Sequence, residues 1–263
     1  MTTPEETVNR DMDNTGKRKI YAKNLIKIYG KRTVVNDLSM DMTQGEVVGI
    51  LGPNGAGKTT TFYMILGLAK PNRGKVLLDD KDITRLPMYR RARMGLGYLA
   101  QAPSIFSKLS VRDNIMAILQ TLKITKKEQL RRLEEALEEL NLAHLANQKA
   151  YTLSGGERRK LEITRALVTN PTFIFMDEPF AGVDPIAVAD IQDMIRKLRD
   201  KNIGVMLTDH NVIETLKIVN RAYIIFEGKI IVSGSSLELI NDEKARQVYL
   251  GERFLANPFE QQT

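Results

Sequence analysis

The stretch Gly52-Pro-Asn-Gly-Ala-Gly-Lys-Thr59 leaves the rest of the chain little freedom. It has the form G-x-x-x-x-G-K-[ST] and stands between a short β-branched run, Glu46-Val-Val-Gly-Ile-Leu51, and a helix-like run from Thr59 to about Leu66. The first run has the length of a buried strand. The chain must turn sharply at its end, and Gly52, Gly55 and Gly57 permit backbone conformations and close approaches that a side chain would block. The loop Gly52, Pro53, Asn54, Gly55, Ala56, Gly57 can therefore turn successive N–H groups onto phosphate oxygens. Lys58 would reach the β- and γ-phosphates, Thr59 would give its hydroxyl to Mg²⁺, and Thr60 could add another phosphate contact. The helix that follows adds its positive end. A strand before and a helix after weigh against an accidental glycine-rich turn, and the expectation is a nucleotide-binding protein.

Composition narrows the setting. At 263 residues the chain holds one large domain or two small ones. No apolar run approaches the ~20 residues that cross a bilayer, and the N-terminus is too polar for a signal peptide, so a soluble chain is expected. With no cysteine and two histidines, disulfides, thiolate sites and His-rich metal sites are excluded, which is compatible with a reducing cytoplasm. A formal charge of +7 suits nucleotides, anionic membrane surfaces or nucleic acid, but the charge is diffuse and chooses none of them.

Along the chain, Met1 to about Lys17 is polar without apolar periodicity and reads as a disordered tail. Ile20-Tyr-Ala, Thr33-Val-Val and Leu38-Ser-Met read as separate short strands. Tyr29 is either a core aromatic or a ring that stacks on a base. Gly74–Leu78 and Gly97–Ala100 read as further strands, and Gln101 follows the second directly. A glutamine there can hold a metal-bound water, or simply face solvent. Lys126 to Leu140 reads as an amphipathic helix with Leu130, Leu133, Leu137 and Leu140 on one face, and with Arg131 and Arg132 pairing with Glu135 and Glu134 or Glu138. The interval from about Ser104 to Tyr151 is helical, between strand-rich flanks, and reads as a helical subdomain inserted into an α/β core.

Ser154 and Glu157 form a capping-box pattern at the start of an apolar-periodic helix. Gly155 and Gly156 are poor helix formers, a cost that is understandable if bare N–H groups and the Ser154 hydroxyl must approach a second phosphate. Phe173–Met176 reads as a buried strand ending in Asp177-Glu178, the strand edge at which open α/β sheets bind ligands. Asp177 would hold Mg²⁺ through water, and Glu178 would polarise the water that attacks the γ-phosphate. Asp184 sits before Pro185 and serves at least as the N-cap of the helix Ile186–Arg199. Asp209-His210 ends another strand, Ile203–Leu207; on the face of Glu178, His210 could contact the γ-phosphate. Tyr223–Phe226 and Lys229–Val232 flank Glu227-Gly228 in a hairpin pattern, and a helix is expected from Ser236 to Tyr249.

The order phosphate loop, Gln101, Leu153-Ser-Gly-Gly-Glu157, Asp177-Glu178, Asp184, His210 resembles the ATP-binding subunit of ATP-binding cassette (ABC) transporters over about Lys19 to Tyr249. The resemblance implies an ABC nucleotide-binding domain, residues 18–250: an α/β P-loop NTPase core with an antiparallel β subdomain and the helical subdomain at about 104–151, followed by a tail at 251–263. It implies that ATP and Mg²⁺ bind between two copies paired head to tail, one giving the phosphate loop and the other Ser154, Gly155, Gly156 and Glu157. By the same carry-over Tyr29 stacks on adenine, Gln101 senses Mg²⁺ and couples to the membrane partner, Asp184 communicates across the homodimer and His210 holds the γ-phosphate. Ser104 to Asn114 forms part of a groove for a transmembrane permease subunit, which holds the chain on the cytoplasmic face of the inner membrane.

Gly156-Glu-Arg-Arg-Lys-Leu-Glu162, Asp177-Glu-Pro-Phe-Ala-Gly-Val-Asp-Pro185, Thr208-Asp-His-Asn-Val212 and Val248-Tyr-Leu-Gly-Glu252 look like lipopolysaccharide-export ATPases of Gram-negative bacteria. Branched-chain amino-acid import ATPases are similar. The chain departs from both at Ala100, where they usually place proline. A soluble cassette ATPase acting on ribosomes or DNA is the alternative from another class; such families usually join two cassettes or carry a long coiled-coil insertion, so no nucleic-acid partner is expected. A GTPase would need a base-reading Asn-Lys-x-Asp, which the chain lacks. The transported molecule is not written in these residues.

Overall fold

The computed structural model describes residues 16–102 and 104–251, so the expected tails lie outside it except for Gly16, Lys17 and Gly251. The first two strands, β1 (Lys19–Tyr29) and β2 (Arg32–Thr43), are long and antiparallel. They replace the three short strands that the sequence suggested. Register shifts between Ala22 and Leu25 and between Leu25 and Lys27 absorb the polar interruptions without ending the pairing. Asn24 and Asp37 take φ of 50° and 55° there, a conformation their short polar side chains tolerate, and Asn24 Nδ2 donates to Asp37 Oδ1 at 2.9 Å. With β4 (Arg73–Leu78) and β5 (Lys81–Asp82) they form a sheet of order β2-β1-β4-β5.

A second sheet has the order β10-β9-β3-β8-β7-β6, from β3 (Val47–Leu51), β6 (Leu96–Leu99), β7 (Phe173–Asp177), β8 (Gly204–Thr208), β9 (Arg221–Phe226) and β10 (Lys229–Gly234). Its pairings are parallel except for the expected β9–β10 hairpin. The hairpin turn places Glu227 at φ 47° and Gly228 at φ 78°, as a two-residue turn matched to strand twist requires. β3, β7 and β8 are buried along their whole length because both faces are covered. On one face Phe62 of α1 (Lys58–Leu66) meets Phe175 edge-on at 5.3 Å between centroids, beneath the antiparallel sheet.

The short helix α2 (Met88–Ala92) contributes Arg91, which is fully buried. Its guanidinium donates to the carbonyls of Met64 and Ile65 at the end of α1 and to those of Thr84 and Leu86. It thus satisfies carbonyls that a helix end leaves unpaired. Burial pushes its pKa down to about 10.

The other face of the parallel sheet is covered by α5 (Gly155–Leu167), α6 (Pro185–Asp200) and α7 (Val212–Leu216), with α3 (Val111–Leu119) and α4 (Lys126–Glu139) packed against α5. In α4, Leu133 and Leu137 are buried with the following Leu140, but Leu130 is 41% exposed. The expected stripe is therefore one residue shorter. The expected Arg131–Glu135 pair forms, but Arg132 turns to Glu128, which Arg131 also meets, and Glu134 pairs with Arg112. The expected C-terminal helix breaks into α8 (Ser236–Asn241), α9 (Glu243–Ala245) and a π-helical turn, Arg246–Leu250. Asp242 stands extended between them, and its carboxylate caps α9 by accepting the Ala245 N–H at 2.7 Å.

Candidate nucleotide site

β3 delivers the phosphate loop at the carboxyl edge of the parallel sheet. Gly52, Gly55 and Gly57 have φ of 144°, 77° and 106°, and a Cβ on Gly52 would lie 2.1 Å from the Ile225 carbonyl oxygen. Gly57 is the N-cap of α1, without a side-chain cap, so the first amides of that helix stay open to a ligand. Lys58 Nζ donates to the Gly52 and Pro53 carbonyls at 2.6 and 3.0 Å. Burial lowers its pKa, opposed by the charges of Glu178, Asp177 and Asp209. A cavity of about 150 Å³ is lined by Val34, Asn54, Gly55, Gly57, Lys58, Thr59, Thr60 and Glu178. The loop and the carboxylate are therefore brought together as the sequence suggested.

Asp177 ends β7 and is 3% exposed. Its Oδ1 accepts from the Thr208 hydroxyl at 2.6 Å, a partner on the neighbouring strand that sequence reading missed. Glu178 follows at φ 47°, with its N–H donating to the Thr208 carbonyl at 2.9 Å. That left-handed conformation is uncommon for a side chain of this length and turns the carboxylate out of the strand direction. Gln101 Nε2 donates to Glu178 Oε2 at 2.6 Å, and His210 Nδ1 lies 3.5 Å from the same oxygen. Asp209 is fully buried and accepts the N–H groups of Phe180 and Asn211, while burial raises its pKa. It braces the turn that carries Glu178 against the turn that carries His210.

The donor set suits Mg²⁺. Thr59, Gln101 and Asp177 offer hard oxygens, and no group of three or more His, Asp or Glu that could cage a metal occurs among the described residues. Mg²⁺ is held in this way where substrate phosphates and water complete its shell.

Other expected contributors stand outside the lining of this cavity. Tyr29, at the end of β1, is 51% exposed rather than core, with Lys27 Nζ 4.9 Å from its ring centroid. Ser154 and Glu157 form the complete capping box of α5, with Ser154 N–H to Glu157 Oε2 at 2.8 Å and Glu157 N–H to Ser154 Oγ at 3.3 Å. A Cβ on Gly155 would meet nothing, whereas one on Gly156 would lie 3.0 Å from Ala187. Asp184 caps α6 by accepting the Ala187 N–H at 3.0 Å. Sequence reading also missed a cavity of about 480 Å³ on the outer side of the loop, lined by Arg32, Pro53, Asn54 and Glu227 among others. Its walls come from a strand start and a hairpin more than 190 positions apart, so no local pattern marks it.

Residues 35–181 match the family model described as ABC transporter. The chain is 55% identical over 235 residues to the lipopolysaccharide export system ATP-binding protein LptB of Acidithiobacillus ferridurans, covering 89% of this chain and 98% of that one. It is 53% identical over 234 residues to the protein of the same name from Escherichia coli K12, covering 89% and 97%. The ADP conformation of MJ1267, an ATP-binding cassette of an ABC transporter, superposes with a TM-score of 0.80 at 30% identity, covering 89% of this chain and 99% of that one. A phosphate loop facing Glu178, on the fold of that cassette, agrees with all three likenesses: the chain belongs to the ABC transporter family.

Proposed function

We propose that this chain is the ATP-hydrolysing subunit of an ABC transporter that extracts lipopolysaccharide from the inner membrane for export. The observation that carries the enzymatic part is Glu178, set by its backbone into the wall of the cavity made by Lys58, Thr59 and Thr60. Lys58 and the α1 amides bind and orient the phosphates, Tyr29 stacks on the purine, and Glu178 takes the proton of the attacking water. His210, within reach of Glu178, steadies the carboxylate and meets the γ-phosphate. Thr59, Asp177 and Gln101 would hold Mg²⁺, which when bound neutralises phosphate charge.

The start of α5 supports the head-to-tail homodimer. Ser154 and Gly155 are exposed and lie outside the phosphate cavity of their own chain, so they are free to meet the nucleotide of a second copy, with Asp184 at the seam. In this reading the cassette is residues 18–250, with the helical subdomain at about 104–151 and tails on either side. Among the described residues no helix is long and apolar enough to cross a membrane. Attachment to the cytoplasmic face therefore comes from permease subunits, docked on the groove of Ser104–Asn114, where Phe106 and Leu109 are 48% and 37% exposed. The cargo is inferred from the relatives named LptB. Nucleic acid has no part in it.

The test is to isolate the tagged chain from detergent-solubilised membranes and identify its companions by mass spectrometry. Two polytopic subunits whose complex hydrolyses ATP and responds to lipopolysaccharide are expected. Amino-acid permease subunits, or ribosomal or DNA-repair proteins without a membrane partner, would overturn the export reading.

A further inference from the structure

The segment that carries Gln101 is fastened at both ends to α5. Arg159 Nη1 donates to the Ala100 carbonyl at 3.2 Å and to Glu162 Oε2 at 2.8 Å, while Glu162 Oε1 accepts the Ser104 N–H at 3.1 Å. Arg165 Nη1 donates to the Ser104 carbonyl, and its guanidinium lies 4.7 Å from the Phe106 ring centroid. The side chains of Arg159 and Glu162 are only 8% and 5% exposed.

A buried ion pair is a poor device for stability alone, because desolvation offsets most of the attraction and apolar residues of similar volume serve as well. This pair does something an apolar pair cannot: it presents a donor to one end of the loop and an acceptor to the other. Arg159 Nε and Nη2 are buried with no hydrogen-bond partner. Two spare donors let the same guanidinium hold the loop in a second position. A cleft of about 290 Å³ between Gln101, Arg159, Glu162, Glu178 and Gly182 gives the loop room to take one.

We propose that Arg159 and Glu162 are positioning residues that clamp both ends of the Gln101 loop to α5 and thereby hold Gln101 where it meets Glu178. The proposal rests on the roles given above to Gln101 and Glu178.

Amide hydrogen exchange over residues 100–106 and steady-state ATP turnover, both on the full chain, test the clamp. Glu162→Gln keeps one acceptor but turns its NH2 against either Arg159 Nη1 or the Ser104 N–H, so its exchange and kcat are expected between those of the parent and of Glu162→Leu. Glu162→Leu keeps volume but loses the acceptor: exchange over 104–106 quickens about tenfold, and kcat falls about tenfold while KM for ATP moves less than about twofold. Arg159→Glu with Glu162→Arg restores the pair but sets a carboxylate against the Ala100 carbonyl and a guanidinium against the Ser104 N–H, so the loop stays released even with a parental melting temperature. Ser104→Pro deletes the same N–H without touching α5 and gives the same fall in kcat. Parental exchange or parental kcat in Glu162→Leu, parental kcat in Ser104→Pro, or full recovery in the swapped pair overturns the proposal. Gln101→Ala separates the two readings: parental kcat there removes the role of Gln101, while exchange alone still decides whether the clamp exists.

Discussion

Gln101 and Glu178 hold one another at 2.6 Å, Nε2 to Oε2, from the ends of two neighbouring parallel strands, β6 and β7. The amide occupies a lone pair that a general base needs. On the mechanism proposed above, Glu178 is the base, and it is the group to replace. Glu178→Gln is expected to lose turnover by about 10²- to 10⁴-fold, the range for a positioned base, with ATP affinity intact. Near-full hydrolysis by that variant, with ATP still bound in a direct titration, would remove Glu178 from the chemistry.

The ring of Tyr29 is half exposed, with Lys27 Nζ 4.9 Å from its centroid, and the proposed stacking on the purine would use this ring. Tyr29→Ala should weaken ATP by about 5- to 150-fold, the equivalent of about 1–3 kcal/mol of stacking, and Tyr29→Phe should not. Calorimetric titration with ATP distinguishes them; equal affinities for all three proteins would place the base elsewhere.

Two glycines of the phosphate loop should respond differently to alanine. At Gly52 the added Cβ lies 2.1 Å from the Ile225 carbonyl oxygen, with φ at 144°, and neither backbone can yield. Gly52→Ala is expected to cost about 3 kcal/mol or more in urea unfolding. At Gly55 the nearest atom is Arg32 Nη2 at 3.9 Å, so only the φ of 77° is paid for, about 1–2 kcal/mol. Similar midpoints for the two variants would contradict this packing.

Glu157 gives the capping box a pH dependence. The Ser154 N–H first, and then its hydroxyl, hold the carboxyl below its ordinary value of 4.5. Because the native pKa is depressed, the contribution to stability is full above 4.5 and is lost as pH falls through the lower native value. Amides at the start of α5 should exchange faster across that window, after correction for intrinsic rates, and Glu157→Gln should flatten the response. Ser154→Ala should cost about 1 kcal/mol at neutral pH. Unchanged protection through the acid range would show that the helix start is held by something else.

What the sequence made legible was local. The phosphate loop, Asp177-Glu178 at a strand end, the Ser154–Glu157 box, the Asp184 cap and the Glu227-Gly228 turn are each short patterns whose geometry is set by neighbours in the chain. What it hid was set by distant partners. Arg91 stands in a run with Arg90 and Arg93 and looks like surface charge, yet it is buried because the α1 carbonyls face it. Arg159 and Glu162 look equally solvated and are buried for the same kind of reason. Leu130 is the reverse case, apolar by pattern and yet 41% exposed. Thr208 carries no mark of its role until β8 is laid beside β7.

The strand order has a consequence for the chain as it is made. β3 pairs with β8 and β9 and with no earlier strand of its sheet, and those partners begin about 150 residues after it ends. At translation rates of about 5–20 residues per second, the phosphate loop spends roughly 8–30 s outside the ribosome before its strand has an edge to join. During that interval Gly52 has no Ile225 carbonyl beside it. A nascent chain can thus carry every residue of the loop without the frame that shapes them, and nucleotide binding arrives at the end of synthesis, when the whole cassette is present. Chains that stop short of β9 are expected to leave ATP unbound.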